Sequence, residues 1–254
     1  MKVVILAGGF GTRLSEYTNL IPKPMVMVGD RPIIWHVMKI FSNYGFKDFV
    51  VALGYKGEEI KKYFMQSLYS GADLQIDLKS GNVRKIRDSA PDWRVTLVDT
   101  GLESMTGGRL KRLESYLQDE PFFLTYGDGL SSVNINDLLT FHNSHGKMVT
   151  VTAVRPIARF GELVIDNNTV TNFQEKRQTN AGWINGGFFV MRPGFLNFID
   201  DDSSILEKKP LETATKRGEL MAYSHEGFWQ CMDTKRDKDY LEELWNTGHA
   251  PWIL

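Results

Sequence analysis

Cysteine is nearly absent from this 254-residue chain, where Cys231 stands alone. An internal disulfide and a cysteine-based zinc cluster are thereby excluded, and such usage fits a reducing compartment. Net charge of either sign is also missing, with 30 Lys and Arg against 31 Asp and Glu. No overall field draws the chain towards nucleic acid or an acidic membrane surface, so any anion it binds must be held by local groups. No apolar run approaches the ~20 residues of a membrane span, and the opening run, residues 1–7, is too short in apolar length for a signal peptide. The expectation is a cytoplasmic protein that partners neither nucleic acid nor membrane. Internal repeats and low-complexity linkers are lacking too, and the five histidines show no ligand spacing.

What is present is the balance of a folded protein, 42% hydrophobic and 24% charged. An α/β chain of this length can stay one domain, and residues 1–254 are read as such. Residues 2–7 form an almost continuously apolar run rich in β-branched residues that breaks into Gly8-Gly9-Phe10-Gly11, the pattern of a buried parallel strand feeding a glycine loop. From Pro32 the apolar positions Ile33, Ile34, Val37, Met38, Ile40, Phe41 and Tyr44 recur at helical spacing and stop at Gly45. Residues 48–53 and 94–99 read as strands and residues 57–68 as a helix. Residues 109–117 read as a helix with Leu110, Leu113 and Leu117 inward, and residues 122–126 as a further buried strand. Strand and helix alternate, which calls for a mostly parallel sheet flanked by helices, with ligands at the carboxyl ends of the strands. After a helix over 134–145 the rhythm changes to strands at 148–154, 161–166, 170–174 and 187–191, the pattern of an antiparallel appendage. An amphipathic helix over 235–245 follows. Residues 1–147 and 148–254 are the two parts of the domain.

Gly8-Gly9-Phe10-Gly11-Thr12-Arg13 directly follows a strand, where backbone without side chains can approach a phosphate and present N–H donors. A Walker A loop is excluded, because Arg13-Leu14 stands where Gly-Lys-Ser/Thr would end it. The dinucleotide fingerprint fails at Leu14, which occupies the third glycine position. A glycine cradle carrying an arginine remains, and the guanidinium fork suits bidentate phosphate binding. Lys23, between Pro22 and Pro24, is a single ammonium on a stiffened backbone. The competing reading of both is a tight turn with solvated cations.

Asp128, between Gly127 and Gly129 after a buried strand, would present a carboxylate into a strand-end cleft, although aspartate also serves turns. Asp233 precedes a helix, where metal binding and capping are equally open. Glu175-Lys176 reads on its own as a solvated surface pair. Thr106-Gly107-Gly108-Arg109 precedes a helix; its glycines would let a base lie against backbone while Arg109 donates to a base oxygen, or Arg109 is simply exposed. His36 reads as packed rather than catalytic, and Phe228 and Trp229 as core.

Leu6 to Leu14 followed by Pro22-Lys23-Pro24-Met25 resembles the signature of the sugar-1-phosphate nucleotidyltransferases. In detail the chain is most similar to their glucose-1-phosphate cytidylyltransferase branch, through Met105 to Arg112, Thr125-Tyr126-Gly127-Asp128-Gly129 and Met232-Asp233-Thr234. The likeness runs through nearly the whole chain and implies a Rossmann-like α/β fold with a sugar-binding appendage. It implies CTP and a hexose 1-phosphate as substrates, a nucleotide sugar and pyrophosphate as products, and a homo-oligomer, a hexamer. Leu6, Ala7, Gly8, Gly9, Gly11, Thr12, Arg13, Lys23, Thr106, Gly107, Arg109 and Gly127 are then expected to bind nucleotide. Arg13, Lys23 and Asp128 are the expected catalytic residues, and Asp128 and Asp233 hold Mg²⁺. Gly161, Glu175, Lys176, Asn185 and Gly186 are expected around the sugar phosphate, helped by Arg159 and Phe160. The chain departs from the family pattern at Arg177, where proline is usual. UTP or dTTP in place of CTP, and a nucleotide-binding regulatory subunit without turnover, are the alternatives.

Overall fold

The computed structural model describes residues 1–87, 90–118, 120–156, 162–166, 169–174 and 182–253. In chain order the first half carries β1 (Lys2–Leu6), α1 (Ser15–Thr18), β2 (Met27–Val28), β3 (Arg31–Pro32), α2 (Ile33–Asn43), β4 (Asp48–Leu53), α3 (Gly57–Ser67), β5 (Asp73–Asp77), β6 (Asn82–Arg87) and β7 (Arg94–Asp99). There follow α4 (Thr106–Lys111), β8 (Phe122–Tyr126), β9 (Gly129–Ser131), α5 (Ile135–His145), β10 (Val149–Val154), β11 (Glu162–Asp166), β12 (Thr169–Gln174), β13 (Ile184–Asn185) and β14 (Phe189–Met191). The remainder carries α6 (Lys209–Lys216), β15 (Leu220–His225), β16 (Trp229–Cys231) and α7 (Lys235–Asn246).

The central sheet runs β15-β10-β14-β8-β1-β4-β7, with β13 beside β10 on the β14 side. Pairings β1–β4, β1–β8, β4–β7 and β10–β15 are parallel, and β14 is antiparallel to both β8 and β10. Alternate residues of the inner strands enter two cores. Val3, Ile5, Val51, Leu53 and Phe123 pack on one face with Ile34, Val37 and Phe41 of α2 and Leu241 of α7. Val4, Leu6, Val50, Ala52, Phe122 and Leu124 pack on the other with Leu110 of α4 and Ala214 of α6. Burial on both sides is why these strands read as continuous apolar runs, each large side chain contributing about 1.5–3 kcal/mol. The chain leaves β1 to one side for β4 and β7, then returns for β8 on the other, so β1 is the switch point at which a ligand crevice opens.

Two expectations change. The strands at 148–154 and 187–191 are not a separate appendage: β10 and β14 extend the central sheet, because Phe189, Val190 and Met191 are fully buried and need cover on both faces. Among the described residues of that segment, only the hairpin β11–β12 pairs apart from it. The helix expected over 109–117 begins earlier, at Thr106, and ends at Lys111, with a separate 3-10 turn at Glu114–Tyr116. Gly107 and Gly108 lie inside α4 because side chains there would strike backbone: a Cβ would sit 2.7 Å from the Ser204 carbonyl oxygen and 2.3 Å from that of Asp202.

His36 is packed as expected. Its ring is fully buried, with Nε2 2.9 Å from the Val28 carbonyl and Nδ1 3.2 Å from Trp252 Nε1. His142 is buried too, with Nδ1 on Thr150 Oγ1 and Nε2 without a hydrogen-bond partner among the described residues. Burial, then Arg192 and His145, push its pKa down to about 4. Because the folded value lies below the unfolded one, the unfolded chain takes up protons first, and stability present above pH 6.5 is lost as pH falls towards 4. By pH 5 this group alone is expected to withdraw about 2 kcal/mol. Denaturant unfolding at pH 7.5 and pH 5 tests this, and an equal loss in His142→Gln would show that another group is responsible.

Candidate active site

The carboxyl end of β1 is pinned by both neighbours, the Ala7 amide donating to the Ala52 carbonyl at 3.0 Å and the Gly127 amide to that of Leu6 at 3.1 Å. The chain then opens into the glycine loop. Among the described residues the amides of Gly9, Phe10 and Gly11 meet no protein acceptor, and Gly9 and Phe10 are exposed, so these N–H groups are free to receive an anion. Lys23 begins a single 3-10 turn, Lys23–Met25, entered from the extended Pro22. This is the stiff presentation that the flanking prolines suggest.

Asp128 lies in the turn between β8 and β9. Asp233 reaches it through a two-stranded ladder in which β16 pairs with β9, Cys231 opposite Gly129, and the Met232 amide donates to the Asp128 carbonyl at 2.9 Å. The question of capping is settled by Thr234, whose hydroxyl caps α7 in a reciprocal arrangement with Asp237. The Asp233 carboxylate is left to the site.

Lys23 Nζ donates to Asp128 Oδ2 at 2.6 Å and to Asp233 Oδ1 at 2.7 Å, and Arg13 NH1 donates to Asp233 Oδ2 at 2.7 Å. Burial, the largest influence on Lys23, opposes its charge, but Asp128 and Asp233 together outweigh it and the pKa is raised. Burial likewise works to raise the Asp233 pKa, and Lys23 and Arg13 overcome it to hold the carboxyl below its usual range. Burial, with Asp233 and Asp128 behind it, pushes the Cys231 thiol up to about 12, so it stays neutral. Two carboxylate oxygens converging on one cationic nitrogen form a hard donor pair, which suits a divalent ion that keeps its remaining positions for water and phosphate. Among the described residues no third His, Cys, Asp or Glu joins them.

These groups share a cavity of about 470 Å³. Leu6, Ala7, Gly8, Gly9, Gly11, Thr12, Arg13, Lys23, Thr106, Arg109, Gly127, Asp128 and Asp233 all line it. Gly107 does not line it, and the place its side chain would take is filled by the Ser204 backbone. Arg109 is 4% exposed and bonded inward. Its NH1 donates to the Leu53 and Gly101 carbonyls and to Thr100 Oγ1, and its NH2 to the Leu102 carbonyl, at 2.6–3.0 Å. The guanidinium lies so close beneath Gly8 and Gly54 that a Cβ on either would come within 2.4 Å of it. The exposed-arginine alternative is thereby excluded. The two N–H groups of NH1 are shared among three acceptors and NH2 uses one, so Nε–H and the second N–H of NH2 take no part in these bonds.

Asn185 and Gly186 do not line the cavity, and Asn185 meets its wall only through Tyr126. Asn185 Nδ2 donates to the Tyr126 hydroxyl at 3.3 Å, and the Gly186 carbonyl accepts from Trp229 Nε1 at 2.8 Å. Phe228 and Trp229 pack against the core, as expected. Gly161, Glu175 and Lys176, with Arg159, Phe160 and Arg177, lie outside the described residues. Sequence reasoning did not place the stretch 102–105, which also lines the cavity, or the carboxylate of Glu207, which accepts from both Tyr126 and Thr106, in the site. Tyr126, the strand residue just before Gly127-Asp128, carried a signal; Glu207 carried none.

The nucleotidyl transferase family model matches residues 2–244. The chain is 50% identical to glucose-1-phosphate cytidylyltransferase of Salmonella typhi over 99% of its length and 98% of that protein. To the probable glucose-1-phosphate cytidylyltransferase of Bacillus subtilis it is 41% identical, covering 99% of both. The solved structure of HddC from Yersinia pseudotuberculosis superposes with a TM-score of 0.71 over 96% of this chain and 99% of that one, at 23% identity, a likeness of fold. With a family match over residues 2–244 and relatives at 41–50% identity along 99% of its length, the chain belongs to the nucleotidyl transferase family.

Proposed function

We propose that this chain is an enzyme that condenses CTP with α-D-glucose 1-phosphate to CDP-glucose and pyrophosphate, using Mg²⁺. The observation that carries the chemistry is the meeting of Arg13, Lys23, Asp128 and Asp233 in one cavity beneath free loop amides. Base and sugar are taken from the relatives' names. Residues 1–147 supply the nucleotide part of one domain and 148–254 the sugar-phosphate part.

The obstacle is charge, since an anionic sugar phosphate must approach an anionic triphosphate. Mg²⁺ held by Asp128 and Asp233 would neutralise phosphate oxygens during transfer. The amides of Gly8 to Thr12 and the Arg13 fork take the β- and γ-phosphates, and the remaining donor capacity of Arg109 faces the base. Asn185, Gly186, Gly161, Glu175 and Lys176 receive the sugar phosphate. Its oxygen attacks the α-phosphorus in line, a new P–O bond forms, and the bond to the β-phosphate oxygen breaks with pyrophosphate as leaving group. Lys23 stabilises charge on the α-phosphoryl oxygens. No general base is required, because the attacking oxygen is already deprotonated. The reading includes a homo-oligomer, supported by Met65, Leu68, Ile76, Leu78, Val83 and Ile86, apolar side chains exposed on α3 and around the β5–β6 hairpin.

Pyrophosphate release with glucose 1-phosphate and CTP, UTP, dTTP, GTP or ATP in turn tests the proposal. CTP is expected to lead by a factor of about 100 or more in kcat/KM, the discrimination of a site that hydrogen-bonds its substrate. Preference for UTP or dTTP would keep the chemistry and change the base. Tight nucleotide binding without pyrophosphate from any of them would favour a regulatory subunit.

A further inference from the structure

A divalent ion reaching this site alone meets charges that are already balanced. Lys23 and Arg13 bring two positive charges and Asp128 and Asp233 two negative ones. The carboxylate oxygens that would face the metal are those that accept from Lys23 Nζ, Asp128 Oδ2 at 2.6 Å and Asp233 Oδ1 at 2.7 Å. The three side chains are only 12%, 24% and 19% exposed, so water screens them weakly. Arg13, 75% exposed, holds Asp233 from the solvent side.

We infer that Lys23 is also a positioning residue for the metal carboxylates: its ammonium holds Asp128 and Asp233 together in place of a divalent cation until a triphosphate draws it away. The inference rests on the proposed function. A metal entering without nucleotide has to displace the ammonium from two carboxylates and leave it largely buried without a counter-charge, a costly state. A triphosphate brings several negative charges and gives Lys23 and Arg13 new acceptors, so the exchange is offset. Lysine suits the task, being a compact charge on a flexible four-carbon stem that can turn from carboxylate to phosphate, as a planar guanidinium cannot. Nucleotide and metal are then coupled, each strengthening the binding of the other.

Mn²⁺ binding to the full chain without nucleotide, followed by electron paramagnetic resonance, tests this. Lys23→Met is expected to bind Mn²⁺ about ten-fold or more tighter than the unaltered protein, and Lys23→Met with Asp128→Asn to lose that gain. Millimolar Mg²⁺ alone is expected to leave the Tm of the unaltered protein unchanged and to raise that of the variant. Lys23→Gln serves as a second variant should methionine disturb folding, and the Tm measurement on the unaltered protein needs no variant. Equal Mn²⁺ affinity in the unaltered protein and both variants, or a rise in its Tm with Mg²⁺ alone, overturns the inference while leaving the transferase reading intact. Persistence of the gained affinity in the double variant overturns it as well, by placing the ion away from Asp128.

Discussion

Asp128→Asn is expected to lower turnover by a factor on the order of 10³ or more while leaving the fold intact, and Asp233→Asn to do the same. Asparagine keeps the size of the side chain and one carbonyl oxygen but removes the charge that a divalent ion needs. In Asp128→Asn, Lys23 keeps Asp233 as its partner. In Asp233→Asn, Arg13 and Lys23 both lose an anionic acceptor. The cap of α7 survives in either case, because it is made by Thr234 and Asp237. Pyrophosphate release and thermal melts on the two variants check this, and full activity in both would remove the metal assignment.

The second large effect is expected at Arg109. Arg109→Met fills similar space but strips the Leu53, Gly101 and Leu102 carbonyls and the Thr100 hydroxyl of their shared donor. The Leu53 carbonyl keeps the amide and hydroxyl of Thr100 as donors, so the loss falls on the half-buried Gly101 and Leu102 carbonyls and costs about 1–3 kcal/mol in total. The ends of β4 and β7 and the stretch 102–105 lose their common tie, so kcat/KM for the nucleotide is expected to fall by a factor of about 100 alongside the stability. Denaturant midpoints and steady-state kinetics measure the two separately. Gly8→Ala should weaken nucleotide use by the opposite route, pressing a methyl onto the same guanidinium. Unchanged kinetics in a destabilised Arg109→Met would show that the arginine supports the fold without shaping the nucleotide wall.

Much of the fold was legible because burial on both faces writes itself into composition. Residues 2–7, 48–53 and 122–126 are almost continuously apolar, apart from Lys2, Asp48 and Thr125, and became the central strands β1, β4 and β8. The spacing from Ile33 to Tyr44, closed by Gly45, marked α2 within a residue of its ends. The hairpin β5–β6, the edge strand β15 and the helix α6 were not read. Strand β6, NVRKIR, is largely exposed, β15 is half-buried, and α6 opens on Lys209-Pro210, so none presents a continuous apolar pattern. Gly107 and Gly108 misled because glycine ordinarily ends helices, whereas here it admits a neighbouring backbone.

By itself the amino-acid order determined the chemistry on offer: a glycine loop at a strand end, a guanidinium, an ammonium between prolines and two aspartates, all local features that need only their immediate neighbours. Tertiary structure alone decided which of these meet. Asp233 joins Asp128 because the β9–β16 ladder aligns segments far apart in the chain, Thr234 frees it by taking over the cap, and Arg109 turns inward beneath Gly8 and Gly54. Contacts of that kind depend on strand register and on the space left between packed backbones, quantities that no local pattern of residues encodes.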